Sequence, residues 1–291
     1  MKIAVIGASG LLGEGHLHIL SNTQHEYLAT HFNKKLYPQT IPLDIRDTNK
    51  VTDFVSNSEP DVVINTAAIT NPETCERDPN NAYATNVIGT QNLADACNRS
   101  GVHFILVSTE YVFDGNNGPY KETDTPSPIS FYGKTKFEAE QRTLKINSKF
   151  CVARTAMLYG WSKTKSNLAL QLISNLRNGK RMEVITDQTV SPSYNDNVAE
   201  MLIDIAEKKL SGIYHISGAS VLTRYEFALS IARVFGLDRS LIGQISISQF
   251  GWKAKRPING GLIIDKAKII LTKKSLTNDE ALIRMKNDER N

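Results

Sequence analysis

Cysteine is scarce in this chain: Cys75, Cys97 and Cys151 are the only three, far apart and odd in number. That excludes a disulfide framework and suits reduced thiols in a cytosol, so a cytoplasmic location is expected. No Cys or His residues have metal-ligand spacing; His16 and His18, two apart, point to different faces of a helix. A catalytic metal is therefore not expected. No apolar run approaches the roughly 20 residues of a membrane span, and the chain opens directly on an apolar strand, with no signal-peptide pattern before it. No membrane contact is expected either. Charge of one sign is also lacking: 34 Lys and Arg against 30 Asp and Glu leave a net +4, well mixed. The densest basic cluster, Lys253, Lys255 and Arg256, suits a solvated face, and nucleic acid is not an expected partner. What is present is ordinary core material. With 291 residues, 41% hydrophobic and 22% charged, the chain suits one large or two intimately joined domains.

Lys2 to Ile6 is a short run rich in β-branched residues, predicting a buried parallel strand. Gly7, Ser9, Gly10, Leu11, Leu12 and Gly13 follow at once, before a helical pattern that continues to about Leu20. Strand, glycine loop and helix in that order predict a pyrophosphate cradle, because glycine lets the backbone turn and approach, and the helix N-terminus offers free N–H groups. A second strand, around Tyr27 to Thr30, is expected to end near the adenosine ribose. NAD-binding chains usually place an acid there, and here the stretch is His31-Phe32-Asn33-Lys34-Lys35. Asn33 and Lys34 suit a 2′-phosphate, so NADP(H) is the preferred cofactor and NAD(H) the alternative. The competing reading is that these lysines are simply solvated. Further on, Asp47 is expected to cap a helix starting at Thr48, and Asp44, beside Ile45, to meet the adenine amine.

Asp61 to Asn65 is a further strand, and the small residues Ala67 and Ala68 after it allow a ligand to lie against the backbone. Pro79 to Arg99 has helical spacing and stops at Gly101; Asn86 within it either braces the active-site loop or serves a structural hydrogen bond. Next comes an apolar strand, His103 to Val107, ending in Ser108-Thr109-Glu110-Tyr111-Val112, and then Tyr132-Gly133-Lys134-Thr135-Lys136. Tyr132 and Lys136 are four apart and share one helix face. A phenol titrates near 10 and is a poor catalyst at neutral pH, but an ammonium beside it is expected to lower that value. A hydroxyl from Ser108 or Thr109 would hydrogen-bond a substrate carbonyl beside the phenol. Tyr-x-x-x-Lys alone occurs by chance in many helices. Its position after a Ser-Thr pair, in a chain that opens on a nucleotide-binding signature, favours catalysis.

Phe150 to Arg154 completes a strand–helix alternation that runs to about Thr155, the mark of an α/β doubly wound parallel sheet. Beyond it the pattern loosens. Helices are expected over Ser166–Asn178, Asp196–Lys209 and Thr223–Phe235, strands near Glu183–Ile185 and Gly212–Ile216, and a loop from Thr186 to Tyr194. The expected division is a cofactor-binding domain over 1–155 and a smaller C-terminal α/β substrate lobe over 156–291, interleaved with the first.

Taken together, these motifs resemble the extended short-chain dehydrogenase/reductases, and among them the dTDP-4-dehydrorhamnose reductase family. The resemblance rests on Gly7-x-x-Gly10-x-x-Gly13, Ser108 to Gly115, Tyr132 to Lys136, Arg154-Thr155-x-x-x-Tyr159-Gly160, Asp187-Gln188 with Ser191-Pro192-Ser193, and Arg256-Pro257. It implies a Rossmann-type fold, a catalytic triad of Thr109, Tyr132 and Lys136, and hydride transfer from NAD(P)H to a nucleotide-linked 4-keto-6-deoxy sugar. It also implies substrate contacts from Ser108, Tyr111, Val112, Gln188 and Arg256. The family usually carries Asp where this chain has Glu110. Gly212 to Gly218 and the Phe113-Asp114-Gly115 stretch resemble a second relative, the regulatory β-subunit of methionine adenosyltransferase, whose role is that of a partner protein. A homodimer is the default expectation from the prevalence of twofold symmetry.

Overall fold

The computed structural model describes residues 1–33 and 35–289. Lys34, one of the expected 2′-phosphate contacts, lies outside the described residues.

The centre of the molecule is a seven-stranded, all-parallel sheet. Its spatial order is Gly212–His215, Cys151–Thr155, His103–Thr109, Val62–Asn65, Lys2–Ile6, Glu26–His31 and Ile41–Pro42. The order reverses between Lys2–Ile6 and Val62–Asn65, which opens a crevice at the carboxyl ends of the strands. This is the doubly wound Rossmann arrangement expected from the alternation of apolar runs.

Both faces of the sheet are covered, which is why its strands read as continuous apolar runs. On one face Ala4, Ile6, Val63, Phe104, Leu106 and Val152 meet Val51, Val55, Leu93 and Ala139, from the helices Thr48–Ser58, Thr90–Arg99 and Phe131–Ile146. On the other face Ile3, Val5, Ile64, Ile105 and Ala153 meet Leu12 from helix Leu11–Leu20 and Val198, Leu202 and Ile205 from helix Asn195–Glu207. The latter helix and the strand Gly212–His215 come from beyond Thr155, so the second half of the chain helps build the first half's sheet. A separate core holds the rest of that half, with Tyr159, Leu172, Val184, Phe227, Ile231, Leu282 and Met285 at its centre.

Two stretches differ from expectation. Pro79 to Arg99 is not one α-helix: Pro79–Tyr83 and Thr90–Arg99 are joined by a π-helical turn, Ala84–Gly89. A Cβ at Gly89 would lie 2.5 Å from the Ile45 side chain, so the helix runs against the Leu43–Ile45 segment as closely as glycine allows. The Thr186–Tyr194 stretch is not an unstructured loop. Thr189–Val190 pairs antiparallel with Leu222–Thr223, and Ser193–Tyr194 pairs with Leu158–Tyr159. No helix among the described residues is long and apolar enough to cross a membrane.

Candidate active site

The glycine loop turns immediately at the end of the first strand, where Gly10 N–H donates to the Gly7 carbonyl at 3.0 Å. Gly7 has φ +87°, and a Cβ there would lie 2.9 Å from the Ala67 backbone. A Cβ at Gly13 would lie 2.4 Å from the Gly7 carbonyl oxygen, so the helix Leu11–Leu20 can sit on the loop only with glycine at this position. No side chain caps that helix at Gly10. The N–H groups of Leu11, Leu12 and Gly13 begin the helix and are open to an anion, while the Leu12 side chain is buried in the core. These features fit the pyrophosphate of a dinucleotide.

Asn33 and Lys35 are exposed beyond the second strand, on the same loop. Asp47 caps the helix at Thr48, its carboxylate accepting from Lys50 N–H. Asp44 commits both carboxylate oxygens to Arg46, at 2.9 and 2.7 Å, and the guanidinium holds that carboxyl below the usual range. The neighbour expected to meet adenine is thus half of an ion pair. Arg46, which the sequence did not single out, also lies 4.9 Å above the Phe32 ring, and its charge is offset by Asp44. The Ile45 side chain is core. Asn86 is fully buried; its amide donates to the Ile69 carbonyl at 3.0 Å and to the Thr135 hydroxyl at 3.1 Å, and accepts from Ile69 N–H at 2.8 Å. It ties the segment after Ala67 and Ala68 to the helix that carries Tyr132.

That helix, Phe131–Ile146, starts at Ser130, whose hydroxyl accepts from Gly133 N–H at 3.1 Å. Tyr132 is buried to 8% exposure, its ring edge-on to Tyr111 at 5.5 Å. Thr109 lies beside Tyr132. Thr109 itself closes the strand His103–Thr109, accepts from Tyr111 N–H at 3.2 Å and donates to Glu110 at 3.1 Å. Lys136, also buried, donates from Nζ to the Val107 carbonyl at 2.7 Å. Burial lowers its pKa to about 8, opposed by the Glu140 carboxylate one turn along. Glu140 is in turn paired at 2.7 Å with the buried Arg154.

The expectation that Lys136 would lower the Tyr132 pKa needs correction. Burial pushes the phenol well above its ordinary range and the nearby Glu110 adds to this, with Thr109 pulling the other way. Desolvation of a full phenolate outweighs an ammonium already turned to a strand carbonyl. Burial thus favours the protonated phenol.

Ser108 Oγ is buried without a partner among the described residues. So is Thr155 Oγ1, on the neighbouring strand and in register with Thr109. Only strand pairing reveals Thr155, since nothing in the linear sequence brings it to the triad. Val112 does not face the cleft. Its side chain is fully buried with Phe113, Tyr120, Ala156 and Leu262, and its carbonyl accepts from Ser127 N–H.

The far wall comes from the second half of the chain. Gln188 is buried, donating to the Pro257 carbonyl at 2.7 Å and accepting from Arg224 Nε at 2.6 Å. The Arg256 guanidinium lies 3.6 Å from the Trp252 ring centroid and pairs with Glu73 at 2.9 Å. Burial raises the pKa of the nearby Tyr111 phenol, and the Arg224 and Arg256 charges oppose this. Arg224 lies 5.5 Å from the same indole. Arg224, Trp252 and Glu73 were not singled out from the sequence, because what unites them is only their convergence on Arg256. The result is a buried Thr–Tyr–Lys cluster between a glycine cradle and a cationic, aromatic wall.

The RmlD substrate binding domain family matches residues 1–290. The chain is 33% identical over 278 residues to a dTDP-4-dehydrorhamnose reductase of Aggregatibacter actinomycetemcomitans, covering 91% of each. It is 32% identical to methionine adenosyltransferase 2 subunit beta of Pongo abelii, over 91% of this chain and 81% of that one. Among solved structures, a dTDP-4-dehydrorhamnose reductase of Bacillus anthracis str. Ames in complex with NADP superposes with a TM-score of 0.90 at 28% identity, covering 99% of both chains.

Proposed function

The chain belongs to the RmlD substrate binding domain family, and from that premise we propose that it is an NADP(H)-dependent reductase of a nucleotide-linked 4-keto-6-deoxy sugar. The observation that carries this reading is the buried cluster of Thr109, Tyr132 and Lys136, at the carboxyl ends of the strands and beside a glycine cradle. The names of the similar reductases and the NADP in the Bacillus anthracis structure support the substrate class and the cofactor. When bound, the cofactor supplies a hydride. Tyr132, kept protonated by burial, gives its proton to the carbonyl oxygen as the carbon is reduced. Thr109 aligns that oxygen, and Lys136 holds the nicotinamide ribose. Arg256 meets the substrate's diphosphate, with Gln188 fixing the wall behind it. In this reading residues 1–155 hold mainly the cofactor, and 156–291 form a substrate lobe interleaved with that domain.

The likeness to methionine adenosyltransferase 2 subunit beta favours a second reading, an NADP-binding partner protein. One experiment separates the two: NADPH oxidation with a dTDP-linked 4-keto-6-deoxyhexose, comparing wild type with Tyr132→Phe. A reductase turns over, and the variant loses roughly 10²–10⁴-fold in kcat while still binding NADPH. Tight NADPH binding with no turnover by wild type on a panel of such sugars supports the partner reading instead.

A further inference from the structure

We infer that Arg224 is a second binding residue for the substrate's diphosphate, gripping it together with Arg256 from one wall of the cleft. This rests on the reductase reading above and adds to it a residue that no sequence motif marks. Arg224 is the first residue of the helix Arg224–Phe235 and is half-buried. Its backbone N–H donates to the Gln188 carbonyl at 3.1 Å, and its Nε donates to the Gln188 side-chain oxygen at 2.6 Å. Gln188 in turn donates to the Pro257 carbonyl at 2.7 Å, next to Arg256. One glutamine thus ties both arginines to a common wall, and both guanidinium groups lie within 5.5 Å of the Trp252 ring centroid.

The two charges are not balanced alike. Arg256 has Glu73 at 2.9 Å. Among the described residues Arg224 has no carboxylate within ion-pair distance, and neither of its Nη nitrogens has a hydrogen-bond partner. The charged and titratable groups that act on it are Arg256, whose like charge repels it, and Tyr111 and Glu110, which favour its charge from further off. Burial works against that charge as well. A guanidinium withdrawn from water does not shed its proton, so the cost of leaving it unpaired persists until an anion takes it up.

A diphosphate suits this wall because it spreads its charge over two linked phosphoryl groups, one for each guanidinium. With Nε committed to Gln188, Arg224 keeps both Nη nitrogens to donate, and a guanidinium pairs with phosphoryl oxygens through parallel N–H···O bonds. The shared indole offsets part of the repulsion between the two arginines, because its face attracts cations. Gln188 is a positioning residue in this arrangement: it holds Arg224 by two bonds and sets it beside the Arg256 segment by a third.

The experiment is calorimetric titration of wild type, Arg224→Gln and Arg224→Lys with dTDP and, separately, with NADPH, alongside steady-state kinetics on a dTDP-linked 4-keto-6-deoxyhexose. In Arg224→Gln the dTDP Kd is expected to rise roughly tenfold or more, the loss of a charged hydrogen bond, while the NADPH Kd stays within about twofold. KM for the sugar nucleotide rises with kcat kept, because the contact is made equally in the ground and transition states. The gap between wild type and Arg224→Gln narrows as salt is raised. Arg224→Lys keeps the charge without the fork and falls between the two. Wild-type dTDP affinity in Arg224→Gln overturns the proposal, as does an equal loss of NADPH affinity, which marks a disturbed fold rather than a lost contact. If Arg224→Gln does not fold, Arg224→Lys decides, and full dTDP affinity in it overturns the grip. If wild type reduces no nucleotide sugar yet the dTDP contrast holds, the reductase reading fails and the grip stands. If wild type turns over and dTDP binding ignores the substitution, the grip fails and the reading stands.

Discussion

In the proposed reading, the choice between the two cofactors would rest on a single exposed side chain, Asn33. An acid at this place accepts from the ribose 2′-hydroxyl and repels a 2′-phosphate; the neutral Asn33 lacks that repulsion and has an amide N–H to offer a phosphate, and the exposed Lys35 adds positive charge. Asn33→Asp is expected to lower the NADPH/NADH ratio of kcat/KM by about tenfold, about 1.4 kcal/mol of discrimination. Steady-state kinetics with both cofactors is the check, and an unchanged ratio contradicts the 2′-phosphate assignment. The same scale shows where sequence reasoning succeeds and stops. Thr109, Tyr132 and Lys136 were legible because a strand end and a helix face fix them locally, and the structure brings them together. The protonation of Tyr132 was not, because it depends on how completely the fold excludes water from the phenol. The Asp44–Arg46 pair was not legible although the two stand two residues apart, since only the loop's curvature brings guanidinium and carboxylate together.

At the scale of elements, the helix Leu11–Leu20 is placed by an absence. Gly13→Ala puts a methyl 2.4 Å from the Gly7 carbonyl and 2.5 Å from Ala8 Cα, both backbone, so the helix has to move away from the loop. Overpacking of this kind costs about 1–3 kcal/mol. The expected result is a lower Tm and an NADPH Kd weakened by more than about tenfold, measured by quenching of protein fluorescence; wild-type affinity would show that the loop tolerates the shift. The elements themselves were legible where each carries its own periodicity, as in the central strands and the Thr223–Phe235 stretch, whose helix ends at Gly236 with φ +68°. The π-helical turn at Ala84–Gly89 was not; the residues it packs and bonds with, Ile45, Ile69 and Thr135, are all distant in sequence. Helix Asn278–Asn287 was missed although its Thr277-x-x-Glu280 capping box stands in the sequence.

For the whole molecule, the division near residue 155 is one of emphasis rather than a cut. Val198, Leu202 and Ile205, all fully buried, cover one face of the strands Lys2–Ile6 and Val62–Asn65, and Gly212–His215 forms the sheet's edge beyond Cys151–Thr155. A fragment of residues 1–155 would expose that apolar face. It is expected to lack a cooperative thermal transition and to bind ANS, and a sharp two-state melt would contradict the interleaving. The Glu73–Arg256 pair joins the two halves from opposite sides of the cleft. Glu73 sits on the short helix Pro72–Arg77 of the first half, while Arg256 comes from the second. An anionic ligand that claims Arg256 therefore does not enter an empty socket; it replaces a carboxylate already seated there. Entry is a partner exchange, in which the bridge between the halves opens as the ligand is gripped. If Arg256 meets the substrate as proposed, weakly charged molecules would make a poor trade for Glu73, and the pair would filter ligands by charge before any chemistry begins.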